Sequence, residues 1–201
     1  MRSTWPKPHA AQMATALVDQ AVAVEQLGAA LACGPLFGTV YLAIPALVAA
    51  SESAENSALL EPLMDGSRTA AFAVTDTAGA FDPATVHVEA ASTHQDWTLT
   101  GTVERVVDAG AADVLLVAAN GPHGVALFAV DTDAAGVHRT VRTTLDLTRP
   151  QADVEMRDAP ARLVAGPDEA ERVIGHALQV GSALLAVEQV GAATHLLDLT
   201  V

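Results

Sequence analysis

The spacing of apolar residues divides the chain into three parts. Up to about residue 66 these residues recur every three or four positions, which predicts helices. From Arg68 to about Val164 they alternate with polar residues in short runs, which predicts strands, and beyond Gly166 the helical spacing returns. The 201-residue chain is therefore predicted to place a block of short strands between two helical regions.

The first region begins with one long amphipathic helix. Its apolar side chains fall on one stripe, from Met13 to Leu31. The stretch CGPLFG, residues 33–38, is predicted to end that helix, and a second apolar segment follows it up to Ala50.

A short helix is predicted within residues 55–66, which read ENSALLEPLMDG. Asn56 or Ser57 can cap its N-terminus, because both side chains accept hydrogen bonds from free backbone N–H groups. Pro62 is expected to limit this helix to one or two turns.

The middle region is predicted to contain eight short strands, rich in Val and Thr and separated by turn residues. NGPHG, residues 120–124, joins two apolar runs and is predicted to be a hairpin loop. Many short strands with few helical breaks favour an antiparallel barrel or sandwich. The eight stretches are TAAFAVT, TVHVEAA, WTLTG, TVERVVDA, DVLLVAA, GVALFAVD, TVRTTLDL and ADVEM.

The last region is predicted to be one helix that starts at Pro167 or Asp168 and continues to Val201. At 1.5 Å per residue such a helix is roughly 50 Å long. It ends without a capping glycine or a basic last turn, which suggests that it continues and needs helical partners. Gly191 would let a neighbouring helix approach closely, and Glu188 would have a polar role between helices.

Composition excludes several classes of protein. The net charge is −14, from ten basic and twenty-four acidic residues, which opposes binding to nucleic acid or to an anionic membrane surface. No apolar run is long enough to span a membrane, and the first residues do not have the pattern of a signal peptide. Cys33 is the only cysteine, so no disulfide and no cysteine-based zinc site is expected. We expect a cytoplasmic protein.

Recognised chemical motifs do not occur. The sequence contains no GxGxxG, Walker, GxSxG or HExxH motif, and its seven histidines are scattered. A metal site needs three or four converging ligands, so no metal is predicted. Residue chemistry alone therefore describes an acidic protein with helices on both sides of a strand block.

Five stretches, in their order and spacing, resemble the acyl-CoA dehydrogenase family. They cover the chain from about Ala14 to Val201. The third contains a W-x-L-x-G strand pair, and the fourth contains an F-x-V-D strand and a D-x-T-R stretch. The five are VEQLGAAL, ALLEPLMDGSRTAAFAVTD, WTLTGTVERVVDAGAADVLLVAA, ALFAVDTDAAGVHRTVRTTLDLTRPQADVEM and LLAVEQVGAATHLLDLTV.

The resemblance implies an α+β fold with N-terminal helices, a central antiparallel β-barrel and a long C-terminal helix from an incomplete four-helix bundle. The implied domains are a partial helical domain at 1–67, the barrel at 68–164 and the first bundle helix at 165–201. Family segments that usually precede and follow these parts are not found within the sequence, so the chain is expected to be truncated at both ends.

The resemblance also implies a reaction. Acyl-CoA dehydrogenases are oxidoreductases of fatty acid or steroid β-oxidation: a glutamate removes the α-proton of an acyl-CoA thioester, and the β-hydride passes to FAD. Implied partners are the acyl-CoA substrate and other acyl-CoA dehydrogenase chains, in a homo- or hetero-oligomer. Neither nucleic acid nor a membrane is implied.

Residue by residue, the match to the family's site is uneven. Phe72, Val74 and Thr75 match the strand that contacts the flavin, with the Thr75 hydroxyl on the ring, although Thr75 can equally be an ordinary strand residue. Asp82 matches the aspartate of a loop that meets flavin and substrate.

Other positions lack the family's functional groups. Arg105 and Val107 stand where the family has Trp and Thr against the flavin. Gly181 and Ser182 stand where some members carry a catalytic glutamate or a substrate-binding arginine. No catalytic residue is therefore assigned in this chain.

Two functions remain open from the sequence. The chain is either an acyl-CoA dehydrogenase-like protein that is inactive by itself, or a non-catalytic partner subunit of a hetero-oligomeric acyl-CoA dehydrogenase. The lost flavin contacts favour the second, and truncation favours the first. A free-standing barrel for a small apolar ligand has no residue pattern in its support.

Overall fold

The computed structural model describes residues 10–74, 81–93 and 96–201, with side chains from residue 17 onward except that of Thr93. Within these ranges the α-helices are Ala10–Ala29 (α1), Ile44–Ala49 (α2), Ala54–Met64 (α3) and Pro167–Thr200 (α4). A π-type helical segment, Leu36–Ala43, leads directly into α2, and Pro83–Thr85 forms a single 3₁₀ turn. The described strands are Ala70–Ala73 (β1), Glu89–Thr93 (β2), Asp96–Val107 (β3), Val114–Gly121 (β4), Gly124–Asp131 (β5), Val137–Arg142 (β6) and Gln151–Ala165 (β7).

Five of the strands close into a barrel. The order around it is β4, β2, β3, β7 and β5, and β5 pairs back to β4. β1 lies beside β4 on the same edge as β2, and β6 lies beside β7 on the same edge as β5. Closure leaves few free strand edges, which otherwise invite unwanted pairing.

The predicted α+β class and central barrel are confirmed. Two pairings, β1–β4 and β2–β4, are parallel, so the barrel is mixed within a mainly antiparallel arrangement. Seven described strands replace the eight predicted, because WTLTG and TVERVVDA form one continuous strand, β3. The predicted hairpin at 120–124 is confirmed: β4 and β5 pair in register up to Gly121 and Gly124.

The barrel interior explains the alternating pattern of the middle region. Strand residues that point inward form one apolar cluster, and Trp97 packs at a tilt against Phe128, with ring centroids 5.2 Å apart. Burial of such side chains is the main stabilising term for a barrel of this kind. The largest buried members are Leu99, Leu115, Val117, Phe128, Val130 and Met156.

The short helix differs from its prediction at both ends. Ser53 is the N-cap, since its Oγ accepts the Asn56 N–H at 2.9 Å. Asn56 instead donates its side-chain amide to the carbonyls of Ser51 and Val164, so the proposed caps Asn56 and Ser57 were wrong. Pro62 lies in the last turn, where one lost backbone donor does not break the helix.

The predicted long C-terminal helix is confirmed as α4, with Pro167 at its start and Asp168 and Glu169 in its first turn. Among the described helices α4 is long and apolar enough to cross a membrane, judged by length and composition alone. A core helix of a soluble protein meets the same criterion, so this observation is weak evidence for a membrane span.

The described residues form two compact units. One comprises Cys33–Gly181 and contains the barrel; the other comprises the described residues before Cys33 together with Ser182–Val201. The three domains predicted from the resemblance remain a prediction.

The smaller unit depends on two glycines. A Cβ on Gly28 would overlap the backbone carbonyl of Glu188, and one on Gly191 would overlap that of Glu25. The close helix approach predicted at Gly191 is therefore confirmed, because only a residue without a side chain allows this backbone separation. Glu188 itself is half-buried.

Candidate functional site

The strand predicted to meet the flavin is β1. Phe72 and Val74 are both buried, while Thr75 lies outside the described residues. Ala71 and Ala73 belong to the barrel core, so Phe72 points to the other face of the strand. The structure thus puts Phe72 and Val74 at the end of β1, outside the core cluster.

One edge of β1 is held by a threonine. The Val114 N–H donates to the Thr69 carbonyl at 3.1 Å, so the backbone groups of Ala70 and Phe72 face the edge away from β4. At Ala70 that edge is bound by Thr39, whose Oγ1 accepts the Ala70 N–H at 2.8 Å and donates to the Ala70 carbonyl at 3.0 Å. One buried hydroxyl therefore substitutes for a neighbouring strand, and Phe72 follows further along the same edge.

A buried carboxylate anchors the helical segment that carries Thr39. Asp108 is 6% exposed, and its Oδ2 accepts the Gly38 N–H at 2.9 Å. Burial raises the pKa of Asp108, while the Gly38 hydrogen bond and the Arg149 charge oppose that rise. The Arg149 guanidinium lies over the Phe37 ring, 5.6 Å from its centroid. These contacts hold the segment against the barrel next to β1.

The raised pKa of Asp108 predicts a pH dependence of stability. The folded state binds the Asp108 proton more tightly than the unfolded state does. As pH rises from the ordinary pKa of aspartate through the raised pKa of Asp108 in the folded state, this group therefore lowers the free energy of unfolding. Asp108→Asn keeps an acceptor for Gly38 without the buried charge. We expect the variant to lack this loss and to equal or exceed the parent in stability at neutral pH.

Denaturant unfolding of both proteins between pH 4 and pH 8 measures the difference. Several other carboxylates have lowered pKa values, so they raise the free energy of unfolding as pH rises. Subtracting the unfolding free energy of the variant from that of the parent at each pH removes their contribution, because both proteins contain them. A parent that gains stability over the variant with rising pH would contradict the burial argument.

A small cleft adjoins the end of β1. Its volume is about 150 Å³. The lining comes from Ala73 at the end of β1 and Val74 after it, residues 85–88 before β2, residues 102–104 of β3, and Ala118 of β4. Its apolar lining carries polar groups from Thr85, Thr102, His87 and Glu104.

Asp82 organises the approach to this cleft. Its Oδ1 accepts the Ala84 N–H at 2.9 Å, and its carbonyl accepts the Thr85 N–H at 2.9 Å. The side chain is exposed and caps the turn that leads to Thr85. The structure therefore gives Asp82 a local structural role, and its predicted contact with substrate stays a prediction.

A bulge in β3 changes the wall at which the family contacts flavin. The β3–β7 register shifts between Val103 and Val106, and Arg105 has a φ of +55°. Val103 and Val106 are both buried, so the bulge turns Arg105 to the outside. Its N–H donates to Asp153 Oδ1 at 2.9 Å.

Asp153 joins Arg105 to a surface charge cluster. It also accepts two hydrogen bonds from Arg142 Nε, at 2.7 and 2.8 Å, and the pKa of Asp153 is lowered chiefly by Arg142. Arg142 reaches Glu104 at 3.8 Å. The cluster is a structural set of ion pairs, and the half-buried Val107 beside it offers no polar side chain.

Gly181 lies in a closely packed place on α4. A Cβ there would come within 2.5 Å of Leu42 Cδ2 and 3.2 Å of the Tyr41 carbonyl oxygen. Ser182, the next residue, is exposed. A side chain at this position would require the end of the Leu42 side chain to move.

Sequence reasoning missed Thr39 and Asp108. Each had a weak signal: Thr39 is a single polar residue within the apolar run LFGTVYLAIP, and Asp108 follows a strand directly before a glycine-containing turn. Within the described residues no group of three or more His, Cys, Asp or Glu side chains could hold a metal ion.

No protein-family model matches the chain, and no curated protein matches it. Solved structures do match. A variant of the Tcur3481–Tcur3483 steroid ACAD shares 30% identity, with a TM-score of 0.77 over 92% of this chain and 48% of that one. The ChsE4–ChsE5 complex from Mycobacterium tuberculosis shares 26% identity, with a TM-score of 0.78 over 92% of this chain and 49% of that one.

A glutaryl-CoA dehydrogenase from Mycobacterium smegmatis, solved in complex with FADH2, has the same fold at 20% identity. Its TM-score is 0.81 over 90% of this chain and 49% of that one. The present chain thus spans about half the length of the solved chains that it matches. The resemblance to acyl-CoA dehydrogenases predicted from the sequence is confirmed, and about nine tenths of this chain has their fold.

Proposed function

We propose that this chain is an acyl-CoA dehydrogenase-like protein that does not catalyse by itself. The family reaction is the FAD-dependent α,β-dehydrogenation of an acyl-CoA thioester, and it requires a base at the α-carbon. The proposal includes the substrate class of the family, which is an acyl-CoA of fatty acid or steroid type. It also includes a location in the cytoplasm.

The residues at positions 181 and 182 carry the proposal. Family resemblance puts a base or a substrate-binding arginine at Gly181 or Ser182, and glycine has no side chain that could accept a proton. The Ser182 hydroxyl is no substitute, because without a base beside it a serine holds its proton at neutral pH. Proton abstraction from these two positions is therefore blocked.

The flavin site fits in part. The backbone N–H and C=O of Phe72 face away from β4 and are suited to the polar end of a flavin ring, and FAD would supply the hydride acceptor there. On β3 the fit fails, since Arg105 stands in a bulge beside Asp153 in place of an aromatic residue and Val107 cannot donate a hydrogen bond. We expect weak retention of FAD by the isolated chain.

A second candidate function is that of a non-catalytic partner subunit. Two solved structures, at 30% and 26% identity, carry paired protein names, and one is described as a complex. The exposed apolar side chains Leu196, Leu197 and Leu199 near the end of α4 also favour association with another chain. In such an assembly the second chain would provide the base and most of the flavin site.

The purified chain is expected to show no acyl-CoA oxidation and little visible flavin absorbance. Addition of FAD should not produce acyl-CoA oxidation, because neither Gly181 nor Ser182 supplies a base whether or not flavin binds. The measurements are the flavin spectrum and reduction of an artificial electron acceptor with short-chain, long-chain and steroid acyl-CoA substrates. A yellow protein that reduces the acceptor would overturn the proposal.

Co-expression with an acyl-CoA dehydrogenase chain encoded beside this one distinguishes the two functions. A partner subunit should co-purify and raise the partner's flavin content or activity above that of the partner alone. A neighbouring chain that is equally active with and without it would refute the partner role and leave the first proposal standing.

A further inference from the structure

β6 presents a free edge on the barrel surface. It pairs only with β7 among the described strands, and almost all of its side chains are exposed on both faces. The Arg157 N–H donates to the Gly136 carbonyl at 2.9 Å. Every second residue counted from Gly136 therefore directs its backbone N–H and C=O toward β7. The backbone groups of Arg139 and Val141 consequently face outward.

The charge of this segment is opposite to that of the chain. Residues 137–145 contain His138, Arg139 and Arg142 and no acidic residue, whereas the chain carries −14. Arg142 is balanced by Asp153.

Arg139 is bonded differently. Its Nη1 donates to the backbone carbonyls of Ala109, Gly110 and Ala112, at 3.0, 3.2 and 3.0 Å. These acceptors are neutral, so the positive charge of Arg139 is not cancelled by them.

Apolar side chains continue the same segment. Val141 is 66% exposed, and the following loop exposes Leu145 and Leu147 almost fully. That loop is held by Asp146, whose Oδ1 accepts the N–H and Oγ1–H of Thr148 at 2.8 and 2.7 Å. A braced loop loses little conformational entropy when it binds.

We propose that β6 and its following loop bind an extended acidic segment of a second protein chain, which adds to β6 as a further strand. Backbone hydrogen bonds to Arg139 and Val141 would supply affinity, and the uncompensated charge of Arg139 would select acidic partners. A second copy of β6 is disfavoured, because it would bring like charges together.

The test uses the ¹⁵N-labelled chain and two short peptides. In the acidic peptide, glutamate alternates with valine or threonine; in the lysine peptide, each glutamate is replaced by lysine. The acidic peptide, at millimolar concentration, should shift the amide signals of 137–142 and raise their protection from exchange. The lysine peptide should bind at least about tenfold more weakly. Added salt should weaken the binding of the acidic peptide, because it screens charge interactions.

Val141→Pro removes one outward N–H and leaves the β6–β7 pairing intact, as proline is tolerated on the solvent side of an edge strand. It should abolish the shifts, while Val141→Thr, which keeps the N–H, should not. Equal binding of both peptides, no shift at β6, or undiminished binding by Val141→Pro would overturn the proposal. So would a dimer of this chain that Val141→Pro abolishes, because the occupant would then be a second copy.

Discussion

Thr39→Val is expected to lower the free energy of unfolding by roughly 2–5 kcal/mol. The Thr39 hydroxyl is the hydrogen-bond partner of both the N–H and the C=O of Ala70, and Thr39 is only 4% exposed. Valine has nearly the same shape but no hydroxyl, so two buried backbone groups would lose their partner while the packing stays similar. Chemical denaturation followed by circular dichroism measures the loss.

Thr39→Ser is the matched control for that substitution. Serine keeps the hydroxyl and removes one methyl group, which should cost only about 1 kcal/mol. If the valine variant loses no more stability than the serine variant, the two hydrogen bonds contribute no more than the contacts of one methyl group, and the argument from the Thr39 hydroxyl is wrong. A local weakening should also appear as faster amide exchange in β1, since Thr39 binds that strand's outer edge.

Gly191→Ala is expected to destabilise the smaller unit by about 1–3 kcal/mol or more. An added Cβ would overlap the Glu25 carbonyl and approach the Ala29 nitrogen at 3.2 Å. These are backbone atoms, so α1 itself must move away. Amide exchange within α1 should become faster, and hydrogen-exchange mass spectrometry would detect this.

Gly175→Ala tests whether that effect comes from packing. A Cβ at Gly175, in the same helix, would meet no atom within 4 Å. Alanine favours a helix over glycine by about 1 kcal/mol, so this variant should gain stability. A loss at Gly175 similar to that at Gly191 would contradict the packing argument, because a Cβ at Gly175 meets no neighbouring atom.

Much of the fold could be predicted because the pattern of apolar residues is a local signal. The hairpin at 120–124 and the start of α4 at Pro167 were predictable from turn and capping residues alone. The N-cap of α3 was not. Three residues near its start are good capping residues: Ser53, Asn56 and Ser57. The side-chain amide of Asn56 instead donates to the carbonyls of Ser51 and Val164, and Val164 is distant in sequence.

The candidate site was predictable by position and less so by environment. The resemblance pointed to Phe72, Val74 and Gly181, and the structure describes each of them. The resemblance did not indicate that Gly181 packs on Leu42, nor that a bulge turns Arg105 outward. Both facts depend on neighbours that are remote in the chain.

The sequence by itself determined the order of helices and strands, the acidic character of the protein and the lack of a base at Gly181 and Ser182. These follow from side-chain type and spacing, which are properties of neighbouring residues. The tertiary structure was needed to show that Thr39 binds the edge of β1, that Asp108 is buried beside Gly38, and that among the described strands β6 pairs along one edge only. Each of these depends on backbone groups and charges brought together from distant parts of the chain, and spacing along the sequence contains no information about that proximity.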